Sequence, residues 1–131
     1  MVKAVKAAVK ANDAVSEKFP RSVRIVRSSD YQALYKKGFK IHSPHFVLYS
    51  LGNALEHCRL GITASRKVGG AVVRNRVKRL FREIFRRSFY LIPGRFDMVV
   101  NAKSGCGSVR YEDLQAEFMA AVKKMSNRYS G

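Results

Sequence analysis

Apolar positions recur along this chain with two different periods. Over residues 71–90, Val73, Val77, Leu80, Phe81, Ile84 and Phe85 fall within roughly 140° of arc at 100° per residue, the core-facing stripe of an amphipathic helix. Residues 111–125 repeat that spacing with Tyr111, Leu114, Phe118, Ala121, Val122 and Met125. Glu112 and Asp113 open this second helix and Lys123 and Lys124 close it, which suits the helix dipole. A shorter helix is predicted over 28–38. Ser28 or Ser29 is its expected cap, Asp30 lies at its positive end, Gly38 suits the C′ position, and Tyr31, Leu34 and Tyr35 share a face. Three segments predict strands. Residues 45–51 are rich in β-formers after Pro44. Residues 58–65 alternate, with Cys58, Leu60, Ile62 and Ala64 on one side and Arg59, Thr63 and Ser65 on the other. Residues 96–102 follow Pro93-Gly94.

Length and composition narrow this picture. A chain of 131 residues with 47% hydrophobic content suits one domain with a real core. The domain is expected over 21–131. Residues 1–20, mostly Ala, Val and Lys before Pro20, read as a basic flexible tail rather than an RNA-binding arm. No apolar run approaches the ~20 residues of a membrane span. The opening residues lack the apolar stretch of a signal peptide, so a cytoplasmic protein is expected. Cys58 and Cys106 are too few for a disulfide framework or a four-cysteine zinc site.

Charge changes the picture most. Lys and Arg number 26 against 9 Asp and Glu, a formal net charge of +17. So positive a small domain favours polyanions. The charge is also concentrated: between Arg66 and Arg87 stand nine basic residues and one acid, Glu83. On the 71–90 helix, Asn75, Lys78, Arg79, Arg82 and Arg86 fall within roughly 100° opposite the apolar stripe. Like charges at i, i+4 disfavour a helix by a few tenths of a kcal/mol each. A row left so unrelieved reads as a phosphate-contacting ridge, for which the planar fork of Arg is suited. Gly69 and Gly70 precede this helix and can bring backbone N–H groups to a phosphate, but no GxxxxGK[ST] loop is present. Tyr31, Tyr35 and Tyr49 are candidates to stack on unpaired bases, although spacing alone favours core positions.

No catalytic set emerges. His57 and Cys58 are neighbours whose side chains diverge on an extended strand, a poor base–nucleophile pair. His42, His45, Cys58 and Cys106 lack zinc-ligand spacing, so no metal site is assigned and the cysteines are expected to be small buried hydrophobes.

The run Gly61-Ile-Thr-Ala-Ser-Arg-Lys-Val-Gly-Gly-Ala-Val-Val-Arg-Asn-Arg-Val-Lys-Arg-Leu-Phe-Arg-Glu83 resembles the signature of the bacterial ribonuclease P protein subunit, and the resemblance extends over roughly residues 20–125. It implies an α+β two-layer sandwich: a four-stranded sheet with about three helices and a left-handed βαβ crossover, a rare hand. It implies a protein that binds a large catalytic RNA and helps it cleave the 5′ leader from precursor tRNA. The RNA performs the hydrolysis with Mg²⁺, bound mainly by the RNA. Carried over by position, Arg74, Asn75, Arg76, Lys78, Arg79 and Arg82 match the motif facing the catalytic RNA, Arg66 and Lys67 match the basic pair before it, and Arg86 continues the ridge. Tyr31, Tyr35 and Tyr49 match aromatic positions of the cleft holding the single-stranded leader. Gly69-Gly70 departs from the family's usual Gly-Asn. The implied partners are ribonuclease P RNA and precursor tRNA, with no obligate protein partner.

Three competing readings keep the basic helix. A structural or ribosomal RNA-binding protein would use it as a clamp and need no leader cleft. A DNA-binding module lacks a paired helix-turn-helix signal. A membrane-surface helix would turn Leu and Phe to lipid and leave the strands uncovered.

Overall fold

The computed structural model describes residues 21–55, 57–92 and 95–130, and among them it has four strands and three α-helices. The segment 1–20, read above as a tail, lies outside the described residues. Strands β1 (Phe39–His42) and β2 (Phe46–Gly52) form an antiparallel hairpin. β2 pairs antiparallel with β4 (Phe96–Ala102), and β4 pairs parallel with β3 (Arg59–Thr63), giving a mixed sheet in the order β1-β2-β4-β3. Helix α1 (Ser28–Lys37) precedes the sheet, α2 (Ala71–Ser88) crosses from β3 to β4, and α3 (Tyr111–Ser130) closes the chain. None of these helices is long and apolar enough to cross a membrane.

The sequence pattern predicts three of the four strands. β1 has only four residues, too few to display a period, and it exists because its backbone pairs with β2 from Phe39↔Ser50 to His42↔Val47. Two helix ends differ from expectation. The residue capping α1 is Arg27, without a side-chain hydrogen bond, and both serines lie inside the helix. Gly38 is extended (φ −77°, ψ 161°) rather than left-handed, while its N–H still donates to the Leu34 carbonyl at 2.9 Å. α2 stops at Ser88 and tightens into a 3-10 turn, Phe89–Leu91. α3 runs past 125 to Ser130.

Strand alternation divides the apolar residues between two faces. Phe46, Leu48, Leu60, Met98 and Val100 belong to the main core with Val77, Phe81, Ile84 and Phe85 of α2 and Leu114, Phe118, Val122 and Met125 of α3. Val73 and Leu80, the rest of the predicted stripe, are partly buried against it. Phe81 meets Phe46 edge-on at 5.3 Å between centroids and Phe118 at 6.5 Å. Cys58 and Cys106 lie in this core as thiols not joined in a disulfide, both pushed up to about 11, chiefly by burial. On the opposite face a smaller cluster joins Leu34 of α1 to Val99 and Ile25, flanked by Tyr31, Tyr49 and Leu51. α1 therefore covers part of the face that α2 and α3 leave open.

An ion pair fixes that second face. Arg59 of β3 grips Asp97 of β4 with two parallel bonds, Nε to Oδ1 at 2.9 Å and Nη2 to Oδ2 at 2.6 Å. Asn53 Nδ2 donates to the same Oδ1 at 2.8 Å, and Asp30 of α1 lies 3.5 Å from Arg59 Nη2. The fork geometry and the low exposure of both partners make this pair stronger than a surface bridge. Replacing Asp97 by Ala should cost about 3 kcal/mol, because it strands a largely buried guanidinium. Urea unfolding at neutral pH measures this; a loss well under ~1 kcal/mol would show that the pair is only a surface contact.

Candidate nucleic-acid interface

The ridge starts at the N-terminus of α2. The turn after β3 carries Arg66 and Lys67, both exposed, and is closed by Val68 N–H to the Ser65 carbonyl (3.0 Å) and Lys67 N–H to Ser65 Oγ (3.3 Å). Gly69 follows with φ of 152°, and a Cβ there would fall 2.8 Å from Val73 Cβ, so glycine lets the turn close onto the helix. Gly70 caps α2 without a side chain, and the first turn holds no acid. Free N–H groups, the positive dipole end and nearby cations thus share one place, a combination that favours phosphate.

Along α2 the sequence-assigned residues separate into groups. Asn75, Arg76, Arg79 and Arg82 are exposed. Arg74 and Lys78 lie on the flank of the apolar stripe and are partly buried, and Arg74 Nε is buried without a hydrogen-bond partner. Arg86 differs. Its guanidinium binds the Glu83 carboxylate through both Nε and Nη2, and Arg87 Nε reaches the same carboxylate at 2.7 Å. Bonding from Arg86 first, then Arg87, holds the Glu83 carboxyl down at about 2. Arg86 is therefore committed to an intrahelical pair, whereas among the described residues no acid pairs with Arg74, Arg76, Lys78, Arg79 or Arg82.

The three tyrosines form one row on the α1 face of the sheet. Tyr31 and Tyr35 are 6.5 Å apart between centroids, and Tyr35 meets Tyr49 edge-on at 4.8 Å. Tyr31 lies against Gly61 of β3, where a Cβ would come within 2.5 Å of the phenol oxygen; glycine here lets the ring rest on the sheet. Burial, then the neighbouring Tyr35, raises the Tyr31 phenol above its usual value. Tyr35 is 40% exposed, so the row is wet at its centre, unlike a core cluster.

A cleft of about 190 Å³ lies between α2 and the Tyr31 end of the row. Tyr31 and Gly61 line it on one side, Lys78 and Arg82 of α2 on another, and Arg24 completes the wall. Of the sequence-assigned residues only Tyr31, Lys78 and Arg82 line it; Tyr35, Tyr49 and the other α2 and turn residues do not. The sequence reading did not select Arg24, Lys40, Thr63 or Asn101. Arg24 sits beside β3, where it bridges to Leu60. Lys40 Nζ lies 5.7 Å from the Tyr49 ring centroid. Thr63 and Asn101 are paired in register, and Asn101 follows the apolar run Met98-Val99-Val100 of β4 on the same face as Asp97, a signal that strand alternation could have supplied.

The titratable residues considered for chemistry are held elsewhere. His57 Nδ1 is 3.0 Å from the Cys58 carbonyl, not its thiol. His45 pairs with Glu117 of α3 at 2.5 Å. Among the described residues no three His, Cys, Asp or Glu are grouped to hold a metal ion.

Comparison with known proteins agrees with this geometry. Residues 19–126 match the family model for Ribonuclease P. The ribonuclease P protein component of Desulfovibrio desulfuricans is 38% identical over 116 residues, covering 86% of this chain and 89% of that protein. That of Thermotoga petrophila is 36% identical over 113 residues, 86% and 94% of the two chains. Among solved structures, a mutant of the Staphylococcus aureus RNase P protein superposes with a TM-score of 0.73 at 34% identity, covering 79% of this chain and 87% of the other. The RNase P protein of Thermotoga maritima gives 0.72 at 31% identity, over 77% and 96%. A sheet of the expected order of complexity, an amphipathic α2 bearing the basic run and a match over most of the chain lead to one assignment: the chain belongs to the ribonuclease P protein family.

Proposed function

We propose that this chain, as a subunit of the ribonuclease P endoribonuclease whose family implies partnership with ribonuclease P RNA, binds this RNA along the outer side of α2 and receives the single-stranded 5′ leader of precursor tRNA on the tyrosine row. The observation carrying this reading is the shared cleft, in which Tyr31 meets Lys78 and Arg82. Stacking surface and phosphate-binding cations are there side by side, which is what a single strand needs. A scaffold protein would use the ridge but would have no need of the exposed Tyr35 and the Tyr49 ring beside it.

In this reading the protein contributes position and electrostatics. Cations on α2 lower the repulsion between the catalytic RNA and a second polyanion, and the tyrosines hold the leader extended away from the cleavage site. No described side chain is set as nucleophile or general base. Mg²⁺ chemistry is assigned to the RNA, because the interface is cationic and its one α2 acid, Glu83, is taken by two arginines. The working compartment is the cytoplasm.

Reconstitution tests the proposal directly. The protein mixed with a bacterial ribonuclease P RNA at low Mg²⁺ should release the 5′ leader from precursor tRNA, with neither component active alone. RNA binding without faster cleavage would favour the scaffold reading. Changing Arg79 and Arg82 to Ala should weaken binding to the RNA and lower the slope of log K against log salt by about one unit per lost phosphate contact, read from binding isotherms across a salt series. An unaltered slope would remove these residues from the ridge. Changing Tyr35 to Ala should weaken affinity for leader-bearing precursor tRNA by roughly 1–3 kcal/mol and leave mature tRNA nearly unaffected.

A further inference from the structure

Asn101 occupies the floor beside the tyrosine row, and its hydrogen bonding is asymmetric. It lies on the α1 face of β4, opposite Thr63 on one side and Val47 on the other. Its carboxamide oxygen accepts from Tyr35 Oη at 3.0 Å and from Thr63 Oγ1 at 2.5 Å. A carboxamide oxygen has two lone pairs, so two hydroxyl donors saturate it. Among the described residues nothing accepts from Nδ2, whose two N–H groups stay available within the row. The side chain is half-buried and anchored from two elements, so its amide is oriented before any ligand arrives.

We propose that Asn101 is a specificity-determining residue that reads one leader base through Nδ2, favouring keto bases over amino bases. The inference rests on the tyrosine row being the leader site. A base stacked on Tyr35 or Tyr49 brings its edge to a group that only donates. Uracil O4 and guanine O6 accept from such a group. The exocyclic amines of cytosine and adenine at the corresponding positions donate, and meet it with an unfavourable donor–donor contact. Tyr35 has two functions in this arrangement: its ring offers the stacking surface and its hydroxyl fixes the amide.

The experiment uses the reconstituted holoenzyme and precursor tRNAs carrying each of the four bases at successive single-stranded leader positions, competed in one reaction so that kcat/KM ratios are read directly. The wild type should favour uridine and guanosine over cytidine and adenosine by roughly fivefold at one position, the worth of a single hydrogen bond. Asn101→Ala should flatten that preference. Asn101→Asp, nearly isosteric, keeps an acceptor for Tyr35 and Thr63 and turns an oxygen to the base, so it should invert the preference towards adenosine and cytidine. Absence of any keto preference in the wild type, or a preference surviving in Asn101→Ala, overturns the inference. Tyr35→Ala separates this from the underlying reading. A selective loss on leader-bearing substrate with the base preference intact in Asn101→Ala sinks the inference alone, whereas equal losses on precursor and mature tRNA sink the leader cleft and the inference together.

Discussion

Phe81 stands between Phe46 of the sheet and Phe118 of α3, and the orientation of α2 depends on that double contact. With Val77, Ile84 and Phe85 it sets one side of the helix into the core. The rotation of a helix about its own axis is otherwise weakly determined, so the buried stripe decides where every other side chain on α2 points. Asn75, Arg76, Arg79 and Arg82 stand in solvent because the aromatic contacts hold the opposite side down. Aromatic burial and edge-to-face packing offset the repulsion of those cations, which no local acid relieves.

The distribution of acids sharpens the same point. Asp97 is taken by Arg59, Glu83 by Arg86 and Arg87, Asp113 by Arg110 and Glu117 by His45. Each of these pairs joins elements or stabilises a helix turn, and the exposed ones contribute little. The carboxylates thus serve the fold and leave the outer side of α2 with its charge unanswered. A surface arranged this way gains its neutralising partner from outside, and a polyphosphate backbone supplies charge at the required density.

The sheet has two unlike faces, which meet along the edge strand β3. One face is a dry core under α2 and α3. The other is only partly covered by α1, and at the margin of that cover lie the three tyrosines, Lys40, Thr63 and Asn101. The edge strand β3 brings the faces together, since Gly61 carries Tyr31 on one side while α2 sets Lys78 and Arg82 beside it. Arg59 and Asp97 tie β3 to β4 below this junction, so stability of the pair and shape of the cleft are linked.

Local order was legible in the sequence wherever a period was long enough to read. Residues 71–90 and 111–125 read as amphipathic helices, three strands show their β-formers, and the cation row is visible in the sequence itself. The Gly61–Glu83 run also carried the family resemblance. What the tertiary structure alone decided involves contacts between different elements. β1 forms only against β2. Tyr35 meets Asn101 across 66 residues, and Arg59 meets Asp97 across 38. Those contacts depend on strand order and on which face α1 covers. Both arise from packing many segments at once, and no periodicity along a single segment encodes them.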